Sequence, residues 1–315
     1  MTPLPEKPMR ETLISAIGDM MAGDDNVFFL SADMGAPSLD RVREDFKDRF
    51  INVGIAEQNM INVAAGLAME GFTVFTYAIA PFYLRTIEQI RINLALQSQL
   101  RDINVNMLAL GAGFSYDVTG PTHHCLEDIT IMRAMPNVMT VSPGDGKTAE
   151  ALTGLVMANR HPKYFRLDGK TLPALYGSSD EIDFSTGFSH LKAGAKLCIV
   201  ATGVMVHQAL KVAALFAGDV GVIDLFQLDH ADDDALAKTI AAYETIVTWE
   251  EGFLGRGGLD AYLCLLISAK KLDCRHQGFG MPNGFDFSPR DRYEMHAANG
   301  FGEEQVAEAI KATLT

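Results

Sequence analysis

The sequence predicts an α/β protein of two domains, each built on a mostly parallel sheet. Strand-like apolar runs alternate with helix-periodic segments through both halves of the chain. A Gly-, Pro-, Ser- and Asp-containing stretch from Asp168 to Gly187 interrupts the alternation, and a length of 315 residues suits about two domains.

In the first half, Glu11 to Met21 reads as a helix and Val27 to Ser31 as a buried strand. Ile51 to Gly54 is a short strand, Met60 to Glu70 a helix that Gly71 is placed to stop, and Thr73 to Ala80 a strand. Leu84 to Gln97 is helical, with Ile87, Ile90 and Leu94 on one face, and Ile103 to Leu110 is a strand. Leu126 to Ala134 and Lys147 to Asn159 read as helices before the strand Tyr164 to Leu167. The second half repeats the theme with strands at Leu197 to Ala201, Val220 to Leu225 and Thr245 to Trp249. Its helices are Val206 to Phe216, Asp232 to Tyr243, Gly258 to Ser268 and Glu303 to Leu314. The expected division is residues 1–170, a linker at 171–190, and residues 191–315.

A chain that is 48% hydrophobic and 21% charged can bury a sizeable core. It has no apolar run long enough to span a membrane and no signal-peptide core between Met1 and Arg10. Cys125, Cys198, Cys264 and Cys274 form neither a metal spacing nor a disulfide framework, so a cytoplasmic location and no metal site on this chain are expected. A net charge of -14 argues against a general nucleic-acid surface but leaves room for a local anion site.

Three constellations carry chemistry. In Phe50-Ile51-Asn52-Val53-Gly54-Ile55-Ala56-Glu57, small residues bring a carboxylate to the junction between a strand end and a helix start. Glu57 is thus either a positioned acid or a plain helix-start carboxylate favoured by the helix dipole. In Thr119-Gly120-Pro121-Thr122-His123-His124, a Gly-Pro turn precedes two histidines, with Thr122 placed to cap the next helix. Ligands of open α/β sheets bind outside the carboxyl ends of strands, where both motifs fall. In Ala80-Pro81-Phe82-Tyr83-Leu84-Arg85, a cation follows a strand where the helix dipole disfavours it, which suits an anionic ligand. Arg166 also ends a strand, so Arg85 and Arg166 read as an oxyanion clamp. Gly144-Asp145-Gly146 looks like a diphosphate loop but has no Asn at the required distance; before an Ala-rich helix it reads as a helix start.

Taken together, "GIAEQNM", "AAGLAMEG", "GPTHH" and "RAMPNVMTVSPGD" resemble the C-terminal half of the transketolase family, in its order and approximate spacing. The resemblance covers essentially the whole chain and implies a pyrimidine-binding domain followed by the transketolase C-terminal domain. Ala80 to Ile90 and "TWEEG…GRGG" are closer to 1-deoxyxylulose-5-phosphate synthase and to 2-oxoacid dehydrogenase β subunits. By this resemblance, the family's further domain, which binds the diphosphate of thiamine diphosphate and Mg²⁺, is expected on another chain. The resemblance therefore implies a split enzyme whose partner, an N-terminal transketolase subunit, supplies that site, most simply in an α2β2 heterotetramer with a homodimeric core.

By the same resemblance, Glu57 takes the glutamate position that hydrogen-bonds the cofactor's pyrimidine N1′ and favours its imino tautomer, leaving the carbanion chemistry to the cofactor. Phe82 matches the aromatic stacked on the pyrimidine and Asp33 an acidic residue near the thiazolium. His123 matches the substrate-contacting "GPTH" histidine; Arg85 and Arg166 match substrate-phosphate positions, with Arg10 and Ser38 weaker matches. Thr119 stands where many members carry an Asp that reads a donor hydroxyl. The implied activity is transfer of a two-carbon ketol unit from a ketose, phosphorylated or otherwise anionic, to an aldose. A 2-oxoacid dehydrogenase β subunit, a deoxyxylulose-phosphate-synthase-like enzyme and a non-catalytic partner subunit are the alternatives.

Overall fold

A computed structural model describes residues 7–229 and 231–315, which divide into two compact units. One runs to Ala112 and resumes over Ala134–Glu181; the other comprises Gly113–Arg133 and Ile182–Thr315.

The first unit opens with α1 (Met9–Gly23), β1 (Val27–Ser31), α2 (Pro37–Asp45), β2 (Phe50–Asn52), α3 (Glu57–Met69) and β3 (Thr73–Ile79). Helix α3 ends as expected, with Gly71 taking a φ of 95° just past it. A broken helical run follows: α4 (Ala80–Tyr83), a 3₁₀ turn, α5 (Ile87–Gln89) and a π-helix over Ile90–Leu96. The sequence anticipated one regular helix here; π segments are rare and concentrate at functional sites. Strand β4 (Val105–Leu110) comes next, and α6 (Asp128–Arg133) lies in the stretch belonging to the other unit. Strand β5 (Met139–Val141), α7 (Gly146–Ala158) and β6 (Lys163–Leu167) complete the first unit's sheet.

The six strands are all parallel, in the order β2-β1-β3-β4-β6-β5. Connections leave β1 toward β2 and β3 toward β4, so the sheet's switch point lies between β1 and β3. Val27, Phe29, Val74, Phe75, Met107, Leu108 and Phe165 are buried with α1 residues Leu13, Ile14 and Ile17, as a sheet covered on both faces requires. Asp145 caps α7: one carboxylate oxygen accepts from Thr148 N at 2.8 Å, and the other from Leu175 N at 2.8 Å. The GDG sequence is a helix cap in this fold.

The second unit has β7 (Phe188–Lys192), β8 (Leu197–Ala201), α8 (Met205–Ala214), β9 (Val220–Leu225), α9 (Asp233–Ile240), β10 (Thr245–Phe253), α10 (Leu259–Lys270), β11 (Arg275–Met281), α11 (Arg292–Ala298) and α12 (Glu303–Leu314). Its sheet order is β11-β10-β8-β9-β7, parallel except for β7, which runs antiparallel to β9. Val200, Ile223, Leu225, Leu236, Ile246 and Leu263 form its core together with Ile129 of α6. Two features differ from the sequence division: Gly113–Arg133 belongs to the second unit, and β7 begins inside the span read as linker.

Candidate functional site

Strands β2, β1 and β3 are neighbours, so the residues that follow their carboxyl ends come together beside the switch point. Past β1, Asp33 adopts a φ of 57°, exposed and held by Asn52 at the end of β2: Asn52 Nδ2 donates to Asp33 Oδ1 at 3.1 Å, and Asp33 N donates to Asn52 Oδ1 at 3.1 Å. Asn52 Oδ1 also accepts from Gly54 N at 3.0 Å. Gly54 has a φ of 74°, in the left-handed region that glycine enters without steric cost. This turn delivers Glu57 as the first residue of α3, with its side chain 2% exposed.

A carboxylate that deep needs a partner. Arg85, from the 3₁₀ turn after α4, donates from Nη1 to Glu57 Oε2 at 3.0 Å. The guanidinium also lies 5.0 Å from the centroid of the half-buried Phe82 ring, while Gln58 Nε2 bonds the Arg85 carbonyl at 3.0 Å. Glu57, Phe82 and Arg85 are therefore one cluster. Tyr83, next to it, is fully buried with its hydroxyl 2.9 Å from Thr76 Oγ1, and burial pushes its phenol well above the ordinary range.

Arg166 is also buried, but it sits on β6, separated from β3 by β4. Two strand spacings place the two strand ends about 10 Å apart. Arg85 faces Glu57, and the clamp expected of the two arginines is not a single fork. Arg10 and Ser38 do converge, on a carboxylate of this chain: Arg10 Nε donates to Glu11 Oε1 at 2.9 Å and Ser38 N to Glu11 Oε2 at 2.9 Å. Burial works against Glu11's charge, yet the bonds from Ser38 and the Arg10 guanidinium prevail and hold its pKa below the usual value.

His123 belongs to the second unit. The segment enters through a 3₁₀ turn, Asp117–Thr119, and turns at Gly120, whose φ is 90°. His123 Nδ1 lies 3.0 Å from Thr122 Oγ1, and its ring stands edge-on to Tyr116. The next histidine is buried, with His124 Nε2 at 3.0 Å from the Asp117 carbonyl. Helix α6 starts only at Asp128, so the histidines occupy a turn, not a helix entrance, and Thr122 partners His123 instead of capping the helix. Thr119 is exposed at the end of the 3₁₀ turn.

Sequence reasoning missed the buried side chains beneath this turn, Glu251, Arg292 and His296. Their only signal was the paired acid of "TWEEG" at the end of an apolar strand. Among the described residues, no group of three or more His, Cys, Asp or Glu could hold a metal ion, and no helix is long and apolar enough to cross a membrane. A buried carboxylate beside a half-buried aromatic ring does fit the amino-pyrimidine half of thiamine diphosphate: the ring offers a stacking face and the acid a partner for a ring nitrogen.

Residues 6–173 match the family model "Transketolase, pyrimidine binding domain" and residues 188–306 the model "Transketolase, C-terminal domain". The chain is 32% identical over 269 residues to the 6-deoxy-6-sulfo-D-fructose transketolase subunit SqwH of Clostridium sp. (strain MSTE9), covering 83% of this chain and 82% of that protein. It is 28% identical over 305 residues to an apulose-4-phosphate transketolase subunit of Actinobacillus succinogenes, covering 95% of each. A solved structure described as "Split gene transketolase, inactive beta4 tetramer" superimposes with a TM-score of 0.83 at 26% identity, over 98% of both chains. With residues 6–173 and 188–306 matched to its two domain models, the chain belongs to the transketolase family, as a split, transketolase-like subunit.

Proposed function

We propose that this chain is the C-terminal subunit of a split, thiamine-diphosphate-dependent transketolase. It moves a two-carbon ketol unit from an anionic ketose donor to an aldose acceptor, with a partner subunit binding the cofactor's diphosphate and Mg²⁺. The observation that carries the reading is the cluster of buried Glu57, Phe82 and Arg85 at the switch point of a pyrimidine-binding-type sheet.

When bound, thiamine diphosphate supplies the carbanion chemistry of ketol transfer. Glu57 offers a desolvated carboxylate to the pyrimidine N1′, where water cannot compete for it. Phe82 offers the stacking face, and Asp33, held by Asn52, lies on the same rim. His123, presented from its turn, serves as the donor and acceptor toward substrate hydroxyl and carbonyl groups. Arg166 and Arg85 supply positive charge for the substrate's anionic end, with Arg10 and Ser38 as outlying contacts. The relatives named for a sulfonated and a phosphorylated ketose support an anionic donor. The neighbour described as an inactive β4 tetramer supports dependence on a second kind of chain.

The test is reconstitution. The purified chain alone should bind thiamine diphosphate weakly and show no ketol transfer, and addition of the diphosphate-binding partner should restore both. Robust turnover by the chain alone would overturn the split-site reading.

A further inference from the structure

Strand β10 carries two successive glutamates, Glu250 and Glu251, each 1% exposed. Side chains of a regular strand alternate between faces. Here the pairing with β11 advances from Trp249↔Phe279 to Phe253↔Met281, four residues on one strand against two on the other. A bulge of this kind re-aims side chains, and it sends the two acids to different partners. Glu250 Oε1 accepts from Asp260 N at 3.1 Å in the first turn of α10. Glu251 turns to the segment that carries His123.

The contacts of Glu251 are specific. Its Oε2 accepts from Phe114 N at 3.2 Å, and its Oε1 lies 3.0 Å from Arg292 Nε and 2.5 Å from His296 Nε2. Arg292 closes a second link, its backbone N–H donating to Asp117 Oδ2 at 3.1 Å. Asp117 Oδ1 accepts from Val118 N at 2.9 Å, and the Asp117 carbonyl faces His124 Nε2. The Phe114 ring packs edge-on to His124, with centroids 4.9 Å apart. Gly113 is required: its φ is 57°, and a Cβ there would overlap the Glu251 carboxylate. One end of the turn before His123 is thus tied to Glu251, and the other to the backbone of Arg292, whose side chain pairs with that acid. A buried charge cluster costs desolvation that apolar packing would avoid, and the bonds it makes here go to the segment that leads to His123.

We propose that Glu251, Arg292 and His296 are positioning residues for His123, through Phe114, Asp117 and His124. The proposal rests on the reading of His123 as substrate-contacting, and it gives Glu251, Arg292 and His296 a part in the reaction without touching substrate. Rates respond steeply to such placement, because a misplacement of about 1 Å can cost on the order of 10²-fold.

The test uses the assembled two-chain enzyme with Glu251→Ala, Glu251→Gln and Arg292→Met. Glu251→Ala should speed hydrogen exchange at the Phe114 and Val118 amides at least tenfold while strand Leu197–Ala201 stays protected. It should also lower kcat at least tenfold and leave thiamine diphosphate affinity unchanged. Glu251→Gln keeps an acceptor for Phe114 and should recover part of both effects. Unchanged exchange at Phe114 in both Glu251→Ala and Arg292→Met overturns the anchor, as does faster exchange with full turnover. If His123→Ala itself turns over normally, the reading of His123 fails, whatever the exchange data show.

Discussion

The guanidinium of Arg85 bonds the Glu57 carboxylate at 3.0 Å and covers the Phe82 ring at 5.0 Å. It therefore engages the carboxylate and the ring proposed to receive the cofactor's pyrimidine. Charge-assisted bonds contribute roughly 1.5–3 kcal/mol. Arg85→Gln should raise KM for an anionic donor about ten- to hundredfold and also shift thiamine diphosphate affinity several-fold. Arg166→Gln, on strand β6 and away from the Glu57 carboxylate, should change the first readout and not the second. Titration calorimetry of both variants with the cofactor separates them, and identical cofactor affinity in Arg85→Gln and wild type would remove the ion pair from the cofactor's binding.

Glu57→Gln keeps the shape and one acceptor oxygen but loses the charge and the ability to exchange a proton. Its ionic partner, Arg85, is half exposed and can turn to water, so circular dichroism of the variant should match wild type. Turnover of the reconstituted enzyme at saturating cofactor should fall on the order of 10²-fold or more. Near-normal turnover would reduce Glu57 to a helix-start residue.

Thr119 is exposed at the end of a 3₁₀ turn, four residues before His123. A neutral hydroxyl can donate or accept a hydrogen bond but brings no negative charge. Sites built to bond a particular hydroxyl reject donors that misplace it. The expected outcome is relaxed donor stereochemistry in wild type and sharper discrimination in Thr119→Asp. A donor panel differing only at the carbon beside the ketol carbonyl reads this directly; strong preference for ordinary pentose-phosphate donors, identical in both proteins, would count against it.

Lys163, buried at the start of β6, donates to Asn104 Oδ1 at 3.2 Å and to the carbonyls of Asn159 and His161 at 2.5 and 2.7 Å. Burial, with a smaller contribution from the Arg160 charge, pulls its pKa from the ordinary 10.5 to about 7. Between those values the unfolded chain holds a proton that the folded chain has released, so this group makes stability rise with pH across that window. Below pH 7 both states are protonated and the burial penalty is fully present. Urea unfolding of wild type against Lys163→Met should therefore favour wild type increasingly from pH 7 to 9, by roughly 1 kcal/mol per pH unit. A pH-independent difference would mean that Lys163 stays charged in the fold.

Elements with clear apolar periodicity were legible in sequence: α3, β3, β4, β8 and β9 lie where their patterns put them. Helix α2 buries only Leu39 and Val42, and β11 is an edge strand with two glycines, so neither has a readable apolar face. The π-helix over Ile90–Leu96 hides because seven residues of apolar spacing cannot separate it from an α-helix. Glu57 was readable because its carboxylate follows a strand end within five residues. Its partner lies 28 residues away, and no local pattern tells an arginine which carboxylate to face. Glu251, Arg292 and His296 escaped for a related reason: charged residues are expected outside, and only the fold shows them inside.

The excursion of Gly113–Arg133 into the second unit has a genetic consequence. A gene severed at residues 171–190 would not yield two interchangeable modules. The front fragment would carry the histidine turn without the acid and arginine that hold it, and the rear fragment would keep them with nothing to hold. Shuffling this C-terminal half among relatives would disturb the turn even where every motif in the front half stayed intact. The two halves are therefore expected to be inherited together.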